Sequence, residues 1–150
     1  ATLTEVKALR AEARFLRALS YWHALDLFGG NVPFVTEADL VGGPLPTQTN
    51  AKDLFTFIES ELKAIEPEMV DARKNEYGRA DKAAVWMLLA KLYLNADAQG
   101  QGNRYADAAA NAKKVIDAGF TLQAKYEDVF KADNNKSAEI IFPITFDGKN

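Results

Sequence analysis

Two stretches of this chain, 72 residues apart, carry the same spacing of small and large residues, and no other feature narrows the fold as much. Leu16, Ala18, Tyr21 and Ala24 recur as Leu88, Ala90, Tyr93 and Ala96, in the pattern Leu-x-Ala-x-x-Tyr-x-x-Ala. On a helix, such a pattern sets a small residue where a partner helix crosses and an aromatic one turn further on. A second correspondence runs at an offset of 51, aligning Lys63-Ala64-Ile65-Glu66 with Lys114-Val115-Ile116-Asp117. A long connection inside the first unit absorbs the difference between the two offsets. The chain therefore reads as all-α, with two antiparallel helix pairs built on tetratricopeptide logic.

Helix limits follow from the stops. Between Glu5 and Phe28 there is neither glycine nor proline, and Phe15, Ala18, Trp22 and Leu25 recur at helical spacing beside a strip of Leu9, Ala13 and Leu16. Gly29-Gly30 ends this helix and Pro33 bars an early restart. The connection from Gly29 to Asn50, with a short extended run at Val32 to Thr36, is long enough to point to a function or to something that pins it. Thr49 and Asn50 are candidate caps for a second helix carrying Leu54, Ile58, Leu62 and Ile65 up to Pro67. Asp81 is placed to cap a third helix from Lys82 to about Asp97. Its run from Ala83 to Ala90 is apolar on every side, so it is expected to be the most buried element. Tyr105, Ala108, Ala109, Ala112, Val115 and Ile116 mark a fourth helix stopped by Gly119, and a short helix is expected around Tyr126 to Lys131. The run Glu139 to Phe146 is strand-like but holds Pro143, which makes it an edge strand or an extended tail.

Composition removes several function classes. A formal charge of −3 and a pI near 5.2 give no electrostatic reason to approach phosphate backbones. The absence of cysteine removes disulfides, thiolate metal sites and cysteine nucleophiles. No run reaches the roughly 18 apolar residues of a membrane span, and the stretch Ala1 to Glu5 does not have the form of a signal peptide. Two helix pairs are fewer than the three or so repeats that usually stand alone, so apolar flanks are expected to need cover from a larger protein.

Polar side chains suggest few sites. Ser20 and His23 lie three apart on the first helix, without the acid and oxyanion hole that nucleophilic catalysis needs. Glu59, Glu61, Glu66 and Glu68 read as a solvated face. Lys7, Arg10, Arg14 and Arg17 form a basic stripe that reads as structural, with Glu12 and Arg14 the candidates for an internal ion pair. Trp22 and Trp86 sit on core faces and are expected to be buried. Tyr126, near the loop that precedes Ile140, is better placed to offer an exposed ring to a sugar.

Five ordered blocks carry a family resemblance. They are Ala11-Glu12-Ala13-Arg14-Phe15-Leu16-Arg17-Ala18, Phe28-Gly29-Gly30-Asn31-Val32-Pro33-Phe34-Val35, Gly78-Arg79-Ala80-Asp81-Lys82-Ala83-Ala84, Leu88-Leu89-Ala90-Lys91-Leu92-Tyr93-Leu94-Asn95-Ala96 and Glu139-Ile140-Ile141-Phe142. In this order they resemble the SusD/RagB family, surface lipoproteins of Bacteroidetes with tetratricopeptide-like helices. Asp81 stands where a hydroxyl residue is common in that family, and either side chain can cap a helix.

The resemblance implies a non-enzymatic role in polysaccharide uptake. Residues 1–150 would be a helical region of a longer, lipid-anchored outer-membrane protein that captures a glycan or other nutrient for a SusC-like TonB-dependent transporter. It implies a glycan contact near Tyr126. It also makes calcium the candidate cation at the bend of Asn95, Asp97, Gln99 and Asn103, with Asp97 as a ligand, because hard cations take oxygen donors. The 150 residues alone would bind glycan weakly, since other regions would supply further platforms. A general tetratricopeptide adaptor that binds peptides is the competing reading.

Overall fold

The structure, a computed structural model, describes residues 2–145. Its main elements are four helices, α1 (Leu3–Phe28), α2 (Ala51–Ile65), α3 (Lys82–Leu94) and α4 (Tyr105–Asp117), with two short strands, β1 (Val32–Pro33) and β2 (Gln48–Thr49). α1 packs against α2 and α3 against α4, which gives the two pairs expected from the repeat. Short 3₁₀ turns follow at Glu66–Glu68, Tyr126–Phe130 and Asn134–Lys136.

Local chemistry sets the ends. Thr2 and Glu5 form a reciprocal capping box that starts α1 two residues before Glu5, and Gly29 closes the helix in the left-handed conformation at φ 68°. The Asn50 side chain accepts from the Asp53 amide at 2.8 Å, so Asn50 caps α2 while Thr49 closes β2. One Asp81 carboxylate oxygen accepts from the amides of Ala83 and Ala84, and the other accepts from the Arg73 amide at 2.6 Å. Asp81 therefore anchors both the helix and the polar connection before it. α3 ends at Leu94, short of the expected Asp97, because Asn95 to Gly100 fold into successive turns.

The core lies between the pairs. Leu54, Phe55, Ile58, Leu62 and Ile65 of α2 are fully buried, and α3 buries Ala83, Ala84, Val85, Leu88, Leu89, Ala90, Leu92 and Tyr93, more than any other helix. α3 lies along α4 and also touches α2 and α1, which explains why it is the most buried helix. The apolar face of α1 is narrower than its sequence suggests. Ala11, Phe15, Ala18 and Leu25 are buried, but Leu9 and Leu16 are exposed because α1 packs chiefly on α2 and touches α3 only lightly. α4 behaves likewise: Ala108 and Val115 point inward while Tyr105 and Ile116 face outward.

Within the described residues the tail is extended and joins no ladder; the last residue of the expected strand-like run, Phe146, lies outside them. Ile141 and Phe142 pack on the core, and the Phe142 ring meets Phe15 edge-on at 5.4 Å. Strand pairing occurs instead inside the long connection, where Val32 pairs with Thr49 and Pro33 with Gln48.

Candidate functional site

The connection between Gly29 and Asn50 is a fixed stem with a bare tip. The Tyr21 hydroxyl donates to the Val35 carbonyl at 2.7 Å and accepts from its amide at 2.8 Å. Phe34 packs between Tyr21 and Phe57, with ring centroids 5.2 and 4.8 Å away. Arg17 ion-pairs with Glu37, and an Asp39 oxygen accepts from the Thr36 amide at 2.6 Å. Beyond this stem Leu40, Val41 and Leu45 are exposed. The loop is pinned, one of the two readings that its length allows.

Tyr126 lies on the opposite half of the chain, on a turn held by side-chain bonds. The Gln123 amide donates to Glu139 at 2.9 Å, Gln123 Nε2 donates to the Ser137 hydroxyl at 2.7 Å, and Asn134 Nδ2 donates to the Val129 carbonyl at 2.9 Å. These bonds fix the turn while both of its rings point outward. Tyr126 is 79% exposed and Phe130 69%, with centroids 5.2 Å apart and planes at 67°. Phe130 is not singled out by the sequence; its place four residues after Tyr126 is the available signal. The same stretch walls a polar pocket of about 260 Å³, lined by Gln123, Asp128, Lys131, Asp133, Asn134, Lys136 and Ser137.

A third concavity, of about 350 Å³, separates α1, α3 and the tail and is lined by Trp22, Met87, Phe142 and Ile144 with His23, Lys91 and Glu139 among its polar groups. Trp22 is half-buried here, with the Lys91 ammonium 5.3 Å from its ring. Trp86 is half-buried too; its indole N–H donates to Glu66 at 2.6 Å and Lys114 lies over its ring. Both expectations of burial are corrected, because indoles at the margins of these helices are covered by lysine stems. His23 packs on Trp22, and the Ser20 hydroxyl donates to the Leu16 carbonyl, so the two do not act together.

The acids of α2 are not the solvated face expected of them. Glu61 receives Arg14 Nε at 3.0 Å, Arg14 Nη2 at 2.7 Å and Arg17 Nη2 at 2.5 Å. Bonds from Arg14 hold its carboxyl below the usual range, burial opposes this, and Arg17 adds to the lowering. At Glu59 burial pushes the carboxyl up, yet bonds from Lys63, Tyr93 and Arg104 outweigh it and the net direction is down. Glu12 receives Arg79 at 2.6 Å. Arg14 and Glu12 are thus both in internal ion pairs, though not with each other. The basic stripe serves in part as inter-helix staples.

Asp97 is exposed on the turn after α3, where its carbonyl accepts from the Gly100 amide. Among the described residues no group of three or more His, Cys, Asp or Glu side chains is gathered to hold a metal ion.

By its fold the chain is a tetratricopeptide-like helical scaffold. No family model matches it. It is 44% identical over 152 residues to the starch-binding protein SusD of Bacteroides thetaiotaomicron, covering 97% of this chain and 27% of that protein. A SusD-like protein of Bacteroides ovatus is 28% identical over 135 residues, covering 86% of this chain and 24% of the relative. A solved SusD superfamily structure from Parabacteroides distasonis superposes with a TM-score of 0.86 at 26% identity, covering the whole chain and 33% of that structure. In sequence and in fold the chain is SusD-like, and it spans about a quarter of the curated relatives it matches.

Proposed function

We propose that residues 1–150 are the helical scaffold of a nutrient-binding protein that captures a glycan at the cell surface and hands it to a TonB-dependent outer-membrane transporter. The 44% identity to a protein named for starch binding, over nearly the whole chain, carries the reading. In it the protein is a lipid-anchored outer-membrane binder and not an enzyme. Tyr126 is a glycan contact, because its exposed ring can stack on the apolar face of a pyranose. Asp97 is a proposed calcium ligand, to be checked by calcium titration of the Asp97→Asn protein.

Affinity electrophoresis of the whole protein against a panel of polysaccharides, run beside co-purification from outer membranes, tests the proposal. Retardation by a glycan together with recovery of a transporter is the expected pair of results. Peptide capture without any glycan binding would return the adaptor reading, and release of shorter sugars would make the protein an enzyme.

A further inference from the structure

We infer that the concavity between α1, α3 and the tail is a binding pocket for a small zwitterion with an apolar side chain, of the free α-amino acid class, with Lys91 holding its carboxylate and Glu139 its ammonium. It is a second site and does not depend on the glycan-binding reading above.

The pocket follows from how the helix pairs meet. α1 packs on α2 and α3 on α4, while α1 and α3 touch only lightly. Phe15, Leu19 and Trp22 recur at i, i+4 and i+7 on α1, and Ala84, Leu88 and Lys91 do the same on α3, so each helix turns one side toward the gap. The tail closes one wall with Phe142, whose ring meets Phe15 edge-on. It does not fill the space. About 350 Å³ remains, whereas close-packed protein interiors hold few voids larger than a water molecule. Small-molecule sites of this size are apolar cavities with a few placed polar groups.

The lining has that character. Leu19, Trp22, Met87, Ile141 and Phe142 are only half-buried, so the floor keeps apolar surface that a ligand can cover. A thioether beside aromatic rings favours a ring or a branched aliphatic group as the guest.

Charge selects the head group. Lys91 and Glu139 both line the pocket and are not paired with each other. Among the described residues Lys91 meets no carboxylate; its exposed ammonium lies 5.3 Å from the Trp22 ring. Glu139 accepts from the Gln123 amide at 2.9 Å through one oxygen, which fixes the carboxylate and leaves the other oxygen to accept. His23, the third polar group, is packed on Trp22. A simple anion would satisfy Lys91 and be repelled by Glu139, and a simple cation the reverse. A molecule that carries both charges beside an apolar group meets both with charge-assisted hydrogen bonds. A neutral sugar answers neither charge.

The test is isothermal titration calorimetry of the whole protein with three probes of one skeleton: L-phenylalanine, hydrocinnamate, which lacks the ammonium, and phenethylamine, which lacks the carboxylate. L-phenylalanine is expected to bind about tenfold more tightly than either, equal to about 1.4 kcal/mol. Lys91 is exposed, and Glu139→Gln keeps an acceptor for the Gln123 amide, so Lys91→Met and Glu139→Gln leave folding intact, which circular dichroism of each variant checks. Lys91→Met is expected to weaken L-phenylalanine and hydrocinnamate about tenfold and to leave phenethylamine unchanged. Glu139→Gln is expected to weaken L-phenylalanine and phenethylamine and to spare hydrocinnamate. Equal losses for all three probes in either variant would overturn the charge assignment, and binding of L-phenylalanine that neither variant alters would overturn the pocket as its site. No binding of L-phenylalanine by the wild type would overturn the proposal altogether, the outcome expected if another part of the whole protein fills the gap.

Discussion

α1 and α3 share a sequence pattern and occupy different physical environments. Leu88 of α3 is 3% exposed, whereas Leu16, its counterpart on α1, is 49% exposed. Tyr93 is buried and bonds to Glu59 at 2.8 Å; Tyr21, its counterpart, is half-buried and spends its hydroxyl on the loop backbone. A repeat conserves the spacing that lets helices pair, but burial depends on how many neighbours a helix has. α3 lies within the stack and is held by apolar contact over most of its surface, with Lys91 and Leu94 left exposed. α1 lies at its edge and is held to α2 by its single buried face and by the Arg14–Glu61–Arg17 staple.

The contrast is broken most directly by truncating matched leucines. Leu88→Ala is expected to destabilise by about 2–5 kcal/mol through lost transfer energy and a cavity, and Leu16→Ala by about 0.5 kcal/mol. Chemical denaturation of the two variants gives the comparison, and equal losses would mean that α1 is as enclosed as α3.

Next in size is the staple. Glu61→Gln is expected to lose about 1–3 kcal/mol, since it removes the charge that three guanidinium bonds address. The pH dependence has a definite sign. The folded carboxyl of Glu61 lies below its ordinary value of 4.5, so its contribution is fully present above that pH and disappears as the pH falls through the depressed folded value. Acid titration of stability should therefore be shallower below pH 4.5 in Glu61→Gln than in the parent.

Asp81→Ala should follow, at about 1–2 kcal/mol, because it uncaps α3 and frees the Arg73 amide. If α3 is held mainly by packing, protection of its central amides from hydrogen exchange should survive while its first turn frays. The smallest effect is expected from Tyr21→Phe, about 1 kcal/mol or less. Exchange should rise at the Val35 amide and neighbouring loop residues, with the melting of α2 and α3 nearly unchanged. A global loss in that variant would show that the loop stem is part of the core.

What the sequence made legible is what local chemistry decides. Asn50, Asp81 and Gly29 are read correctly because a cap depends on residues within one turn of it. The enclosure of α3 is read correctly because a helix with no polar side has nowhere to face water. The acids of α2 were misread because their partners lie far along the chain: Glu61 meets arginines 47 and 44 residues away, and Arg104 reaches Glu59 across 45. The apolar strip of α1 is only partly buried for the complementary reason: a pattern records a face but not what covers it, and Leu16 is exposed. At the candidate glycan contact, Tyr126 was visible as an aromatic beside a turn. The polar pocket could not be, because it depends on Gln123 meeting Ser137 across an irregular loop.

The closure at the base of the long connection separates the loop's length from the helices' stability. Gly30, at φ +100°, sits so close to α2 that a Cβ there would fall 2.4 Å from the Ala51 nitrogen, and the Asn31 amide reaches the Thr49 carbonyl at 2.7 Å. With both ends fixed at one point, residues added or removed between Leu40 and Leu45 change only the entropy of a closed ring, where doubling the length costs about 0.6 kcal/mol. Tips of different size and chemistry can thus be exchanged on the same stem while the scaffold stays the same.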